Sequence, residues 1–236
     1  MTPNTEGLIY VPELDLHFTE ERILLGKNWQ TTKDTLKDQE MAMPTPFQFR
    51  AFLKHLKASK EHQELYKDIT EVRYPYRAEW LNARFEERED RMYIISEDAL
   101  IKGKYKDQEI KLDNCLMQDG YTSRCISLDE YLNSTTPHGL PPANIPNGNL
   151  NYWYPGDKSV AGFRSDSDWA GLDCVGDPGN SYPALGVFGA RKFSEDSTLE
   201  IEIQERLYSI EEITTALGNT GFSGAMHRFL EELRSY

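Results

Sequence analysis

Long apolar runs are missing from this sequence, and so is a basic, apolar leader at its start. A membrane-spanning helix needs about 20 consecutive apolar residues, whereas this chain has 28% charged residues and a mean hydropathy of −0.64. Its first 18 residues carry neither the positive charges nor the apolar stretch of a secretory signal. We therefore expect a chain that is made in the cytoplasm and is not inserted into a membrane. Its final location stays open, with display on a virion or on a cell surface among the alternatives.

Cysteine and positive charge are both scarce. The three cysteines, Cys115, Cys125 and Cys174, lack the spacing of a zinc site. We expect reduced, mostly buried thiols, with a Cys115 to Cys125 bridge as the alternative. Lys and Arg number 26 against 39 Asp and Glu, and the net charge of −13 would repel a phosphate backbone. Nucleic acid is therefore not expected as a partner, and no metal or cofactor is predicted.

Helix and strand signals change in character along the chain. At 236 residues the chain can bury a large core. Helix signals dominate the first part and strand signals the second, without the regular alternation of a βαβ protein. These features predict a single α+β domain over residues 1–236, with irregular loops. Its last part, residues 198–236, is predicted to be a largely helical C-terminal extension.

Local patterns predict the first elements. Residues 8–18 alternate in polarity and are broken at Pro12, which indicates one or two short strands that seal an edge of the main sheet. A surface helix is expected over residues 28–39, anchored by Trp29. The next helix begins with a Thr45 cap and Pro46 in its first turn, and its pattern continues to residue 69.

The middle of the chain is rich in aromatic and charged residues. Residues 69–85 are aromatic and contain Pro75, which predicts an irregular segment that wraps the core. Its large rings are expected to fill that core: Tyr74, Tyr76 and Trp80. Its charged residues favour structural ion pairs over a catalytic or anion site: Arg73, Arg77 and Glu79. A hairpin is expected over residues 91–113, and an irregular loop over 135–148.

The segment from Ser159 to Arg191 is unusually dense in Gly, Asp and Ser. Apolar residues spaced through it predict short strands, whose connecting loops would expose the small polar residues. The segment has no GxSxG nucleophile motif and no histidine. Its aspartates could supply paired carboxylates for glycoside hydrolysis, or calcium ligands at Asp173, Asp177 and Asn180 without the EF-hand spacing. We favour neither interpretation.

The same segment also lacks several residue types altogether. The chain has 23 Glu, 13 Lys, 7 Gln and 6 Met, about a fifth of its residues, yet none of them occurs between Ser159 and Arg191. One explanation is that Gly, Asp and Ser loops disfavour long side chains. The other is that the codons of this segment are restricted.

The run VAGFRSDSDWAGLDCVGDPGNSYPALGVFGAR, residues 160–191, resembles the variable region of proteins diversified by retroelements, in particular the archaeal and archaeal-virus group. In that family a reverse transcriptase rewrites the region with errors at adenines. AAY codons changed in this way yield residues such as Asn, Asp, Ser, Gly and Tyr, but never Glu, Lys, Gln, Met or Trp. Upstream, residues 28–49 resemble the helix, short strand and MPTP-type helix start of the C-type lectin fold that these proteins share with the formylglycine-generating enzymes, and residues 69–85 also resemble the archaeal group. The resemblance covers about residues 20–193.

The resemblance implies which residues meet a ligand. Trp169 cannot arise from an AAY codon and is expected to be a framework residue. The changing, ligand-binding positions are expected where polar or unusual residues interrupt the framework. They are Arg164, Asp166, Asp168, Gly171, Asp173, Val175, Asp177, Gly179, Asn180 and Tyr182.

The function that follows is binding and not catalysis. The expected partner is a macromolecule, in the first place a protein, on a host or neighbouring cell surface, and the acidic charge favours a basic one. A formylglycine-generating-type enzyme on the same fold would need two cysteines closer together than Cys115 and Cys125. A calcium-dependent lectin would carry EPN or QPD and WND triplets, which this sequence lacks.

Overall fold

The computed structural model describes residues 6–117, 123–134 and 136–192, and within these ranges the predicted α+β class is confirmed. The predicted extension over residues 198–236 lies outside the described residues. The helices are α1 (Trp29–Asp38), α2 (Pro46–Ala58), α3 (Gln63–Thr70) and α4 (Leu128–Asn133). The strands are β1 (Leu8–Val11), β2 (Leu16–Thr19), β3 (Arg77–Arg88), β4 (Arg91–Ile101), β5 (Lys104–Lys111), β6 (Ser123–Ile126), β7 (Leu150–Trp153), β8 (Val160–Ser165), β9 (Ala170–Gly176), β10 (Leu185–Gly186) and β11 (Ala190–Arg191).

The main sheet is built around β3. Its strand order is β5-β4-β3-β8-β9-β7-β6, and the short β10 pairs in parallel with the first part of β3. Residues 77–83 are all buried, so this strand is covered on both faces and shows no alternation of polarity. The predicted irregular segment over residues 69–85 is therefore wrong from Arg77 onward. Trp80 does fill the core, but Tyr74 lies at the surface.

Two hydrophobic clusters cover β3. The larger one packs α2 against the main sheet, as between Phe49 and Phe163 of β8 with ring centroids 5.6 Å apart, and against β2, where the rings of Phe18 and Phe52 stack at 4.5 Å. The smaller one brings together α1, β3 and the residues around β10, with Trp29 and Trp80 among its members. The indole Nε1 of Trp29 donates to the Leu81 carbonyl at 2.8 Å. The prediction that Trp29 anchors its helix is thus confirmed.

The N-terminal strands form a separate sheet. The two predicted strands are present as β1 and β2, on either side of the turn that contains Pro12. They do not seal the main sheet, because the free edge of β2 pairs with β11 and closes a three-stranded sheet, β1-β2-β11. The prediction was wrong since a partner that lies about 170 residues away leaves no mark on the local pattern.

Helix starts agree closely with the sequence. Thr45 accepts from the Gln48 backbone N–H at 3.3 Å, and Gln48 Oε1 accepts from the Thr45 N–H at 2.9 Å, which completes a capping box. The predicted continuation to residue 69 is wrong, because the helix ends at Ala58 and α3 begins at Gln63. Gln63 Nε2 donates to backbone carbonyls at the end of α2, including that of Ser59 at 2.8 Å, so this end has its own cap.

The hairpin and the loop were predicted correctly. Strands β4 and β5 pair antiparallel across the turn at Lys102 and Gly103. Ser127 caps α4 by accepting from the Glu130 N–H at 3.3 Å. Residues 136–148 contain no helix or long strand.

The capping box gives a first prediction. Thr45→Ala should lower the free energy of unfolding by about 1 kcal/mol, because the Gln48 N–H loses its acceptor at a buried helix start. Thr31→Ala is the matched control, since Thr31 is exposed on α1 and should change stability by less than about 0.5 kcal/mol. Chemical denaturation of both variants measures the difference. Equal losses in the two variants would contradict the role of the cap.

Candidate ligand-binding surface

Three connecting segments meet where β3 begins. Arg77 pairs with Ser165, so the turn between β8 and β9 lies beside the residues that lead into β3. On the other side, the Ala78 N–H donates to the Ala184 carbonyl at 3.2 Å, which places the loop that enters β10 at the same end of the sheet. We call these segments together the loop surface: residues 71–76, 166–169 and 177–184.

The turn between β8 and β9 is shaped by Asp166. Its Oδ1 accepts from the backbone N–H of Asp168 at 2.8 Å and of Trp169 at 3.0 Å. Its backbone carbonyl accepts from the Arg73 N–H at 2.6 Å. The carboxylate thus replaces missing main-chain bonds in the turn. The side chains of Ser167 and Asp168 face solvent.

The loop from 177 to 184 is fixed in the same way. Asp177 Oδ1 accepts from the Gly179 N–H at 2.8 Å, and Asn180 Oδ1 accepts from the Tyr182 N–H at 3.1 Å. The Pro178 carbonyl accepts from the Trp29 N–H at 3.1 Å, which ties the loop to the start of α1. The Tyr182 ring remains 63% exposed.

A network of buried charges lies under the loop surface. Glu79 is fully buried on β3 and is paired with Arg77 and, at 3.6 Å, with Arg22. Arg77 also pairs with Asp68 of α3, which binds Arg73 at 2.5 Å as well. Burial raises the pKa of Glu79, and the two arginines oppose this shift. The structural ion pairs expected for Arg73, Arg77 and Glu79 are therefore confirmed.

A second buried pair corrects one predicted position. Asp173 is 5% exposed and pairs with Arg164 at 3.0 Å, and its Oδ1 accepts from the Val175 N–H at 2.8 Å. Burial raises the pKa of Asp173, whereas Arg164 lowers it. Burial likewise raises the pKa of the neighbouring Tyr76. The expectation that Asp173 is an exposed loop residue is wrong, because it belongs to the interior of β9.

Gly171 is a second predicted ligand-binding position that is buried in the structure. It is buried in β9 opposite Asn151 of the parallel strand β7. A Cβ atom at this position would lie 1.9 Å from the Asn151 carbonyl oxygen. Only glycine fits there without a shift of the backbone. The sequence pattern assigned Gly171 to an exposed loop because small residues serve both in loops and where strands approach closely.

The other predicted positions differ in exposure. Those that face solvent are Asp168, Asp177, Gly179 and Tyr182. Those that are half-buried are Arg164, Asp166, Val175 and Asn180. The framework residue Trp169 is also half-buried, with its ring centroid 6.2 Å from that of Trp153.

Part of the exposed loop surface lies outside the positions predicted from the sequence. Ser167 and Ser181 face solvent between predicted positions. Val72 and Tyr74 are exposed next to the turn, at 56% and 90%. A signal was available in Pro75, because the residue before a proline favours extended backbone over helix and often lies in a surface connection.

The residues considered as calcium ligands already have partners within the protein. Asp177 and Asn180 accept bonds within their own loop, and Asp173 faces Arg164. Within the described ranges, no group of three or more His, Cys, Asp or Glu side chains is placed to hold a metal ion.

All three cysteines are free thiols, and burial raises the pKa of Cys115 to about 11. None of the described helices is both long and apolar enough to cross a membrane.

Comparison of the chain with protein-family models, with curated proteins and with solved structures gave no match. A functional proposal for this chain therefore rests on the geometry of the loop surface.

Gly171 and Gly179 make a matched pair for a second prediction. Gly171→Ala should lower the free energy of unfolding by about 3 kcal/mol, because the new methyl group meets backbone in the sheet. Gly179→Ala should change it by less than about 1 kcal/mol, since the nearest atom is a side-chain oxygen of Asp177 at 3.3 Å. Denaturation curves measure both. Similar stabilities would show that Gly171 is not a framework position.

Asp173 and Asp168 give a third prediction. Asp173→Ala should cost about 3 kcal/mol, because Arg164 is left largely buried without its partner. Asp168→Ala should stay within about 0.5 kcal/mol. The double variant Arg164→Met, Asp173→Leu should recover most of the loss, since no charge is then left buried. Thermal and chemical unfolding compare the three. A small effect of Asp173→Ala would contradict this assignment.

Proposed function

We propose that this chain is a non-enzymatic, ligand-binding protein whose loop surface carries changeable side chains on a C-type-lectin-like scaffold. The observation that carries the proposal is the contrast between backbone and side chains in the loops. The backbone is held by Asp166, Asp177 and Asn180, whereas the side chains of Asp168 and Tyr182 point to solvent.

This contrast is what a changeable binding surface requires. Core contacts that fix the fold lie in α1, α2 and the sheet and do not involve the exposed loop side chains. Substitution of exposed side chains away from such contacts usually changes stability by less than about 0.5 kcal/mol. Tyr, Ser, Gly and Asp on an anchored loop also form the surface chemistry of antibody paratopes.

The proposal extends to how the surface is diversified. The absence of Glu, Lys, Gln and Met between Ser159 and Arg191 fits a segment rewritten by a retroelement, as in the archaeal and archaeal-virus group. The C-type-lectin-like scaffold is supported by α1 and by the start of α2 at Pro46, since the resemblance over residues 28–49 implies a helix followed by a second helix start. Gly171 and Asp173 leave the set of changing positions together with Arg164, the largely buried partner of Asp173, and Ser167 and Ser181 join it. The partner is a macromolecule, in the first place a protein, on a host or neighbouring cell surface.

Sequencing of the surrounding DNA tests the origin of the segment. We expect a near-duplicate of the codons for residues 159–191 that differs mainly at adenines, beside a reverse-transcriptase gene. Its differences should fall at codons 167, 168, 181 and 182 and should spare codon 171. A locus without such a repeat would remove the retroelement from the proposal. A repeat that differs mainly at buried codons would contradict the assignment of the loop surface.

A combined variant tests the tolerance of the scaffold and is our fourth prediction. Ser167→Tyr, Asp168→Asn, Ser181→Arg and Tyr182→Ser together should keep the free energy of unfolding within about 1 kcal/mol of the original chain, because all four positions are exposed. Leu172→Ser, in the buried part of the same segment, is the control and should lose about 3 kcal/mol or more. If the fourfold variant lost as much as the control, the scaffold would not be independent of its loops.

A further inference from the structure

Two apolar side chains lie exposed just outside the changing segment. Tyr74 is 90% and Val72 56% exposed, and both belong to the part of the loop surface that leads into β3. Most large apolar side chains of the described residues are buried, and neighbouring exposed ones often mark an interaction site. These two residues are encoded about 85 positions before the segment proposed to change.

The backbone around Val72 is fixed. Ser165 Oγ donates to the Glu71 carbonyl, and the Arg73 N–H donates to the Asp166 carbonyl at 2.6 Å. These bonds flank Val72 and join it to the turn that contains Asp168. Val72 therefore holds a set position beside the changeable loops, and Tyr74 follows two residues later on the same segment.

The charges at this end of the sheet divide into an inner and an outer set. The arginines Arg22, Arg73, Arg77 and Arg164 each pair with a carboxylate, and their side chains are at most 27% exposed. No lysine occurs over residues 68–77 or 159–191. The exposed carboxylates of the outer set have no salt-bridge partner among the described residues: Glu71, Asp168 and Asp177. The exposed charged side chains within the loop surface are thus carboxylates, and the exposed Lys27 lies on the neighbouring segment before α1.

We propose that Val72 and Tyr74 form a constant anchor of the loop surface and that the bound protein presents Lys or Arg side chains to it. This inference rests on the proposed binding function and names the chemistry of its partner. The Tyr74 ring supplies apolar area and an electron-rich face for a cation, which is the combination that dominates many interface centres. Glu71 and Asp168 attract the same cation over a longer range.

Peptide selection tests the anchor. The full chain is immobilised, and a phage-displayed library of short random peptides is selected on it at low salt. We expect the selected peptides to be enriched in Lys and Arg over the unselected library. The strongest binder is then synthesised, and its dissociation constant is measured with each variant and as a function of salt.

Matched variants separate the anchor from nonspecific charge. Tyr74→Ala should weaken the peptide by about tenfold or more, whereas Tyr10→Ala, which removes another exposed tyrosine, should change affinity by less than about twofold. Asp168→Asn should reduce both affinity and its salt dependence. Asp90→Asn, an exposed aspartate at the opposite end of β3, should leave both unchanged. Unfolding curves confirm that Tyr74→Ala is folded.

Each contrary outcome has a distinct meaning. Selected peptides without an excess of Lys and Arg would overturn the charge of the partner, and an unchanged dissociation constant for Tyr74→Ala would overturn the anchor. In both cases, binders that still depend on Asp168 or Tyr182 leave the proposed function standing. Failure to select any peptide above an uncoated support overturns this inference and counts against ligand binding by the loop surface.

Discussion

A carboxylate buried on β3 holds together three separate parts of residues 6–192. Glu79 lies near the start of β3, between β8 and β10, where it is fully buried and an isolated charge would be strongly unfavourable. It is retained because Arg77 and Arg22 approach it from different parts of the chain, and Asp68 and Arg73 extend the network to α3. Loss of one partner leaves the others buried without compensation. The network therefore couples the entry to β3, the end of α3 and the N-terminal region into one unit, and the loops rest on that unit.

The polar residues of segment 159–191 perform two separate tasks. Some hold the chain in place, as Asp173 does through Arg164 and as Asp166 does through backbone N–H groups. Others, such as Asp168 and Tyr182, are exposed and belong to neither hydrophobic cluster. A surface that can change needs both, because side chains are free to differ only where other residues define the backbone. The same amino-acid type fulfils either task, so composition alone does not separate them.

What could be predicted from sequence was local. The Thr45 cap and the hairpin of β4 and β5 depend on neighbours within a few residues, and both were predicted, whereas the Gln48 contact that completes the capping box was not. The strand β3 was missed because burial on both faces removes alternation, and because Arg22, one of the two partners that make Glu79 acceptable, is distant in sequence. Gly171 was misplaced for a similar reason, since the atom that excludes a side chain there belongs to Asn151 of a neighbouring strand. For the site, the loops were located correctly, but burial within β9 followed only from the sheet.

The carboxylate and amide caps in the loops carry an evolutionary consequence. Asp166, Asp177 and Asn180 shape their turns with one oxygen atom that accepts a backbone N–H, a role that Asn, Asp and Ser all fulfil. If this segment is rewritten at adenines, a single change in an AAY codon for Asn gives Asp, His, Tyr, Ser, Thr or Ile, and three of these six residues, Asp, Ser and Thr, keep a short side-chain oxygen. Random copying errors would then explore new surfaces while tending to return the same turn geometry. The residues that adenine errors produce would thus often satisfy the hydrogen-bonding requirement of the turns, and many newly encoded variants would still fold.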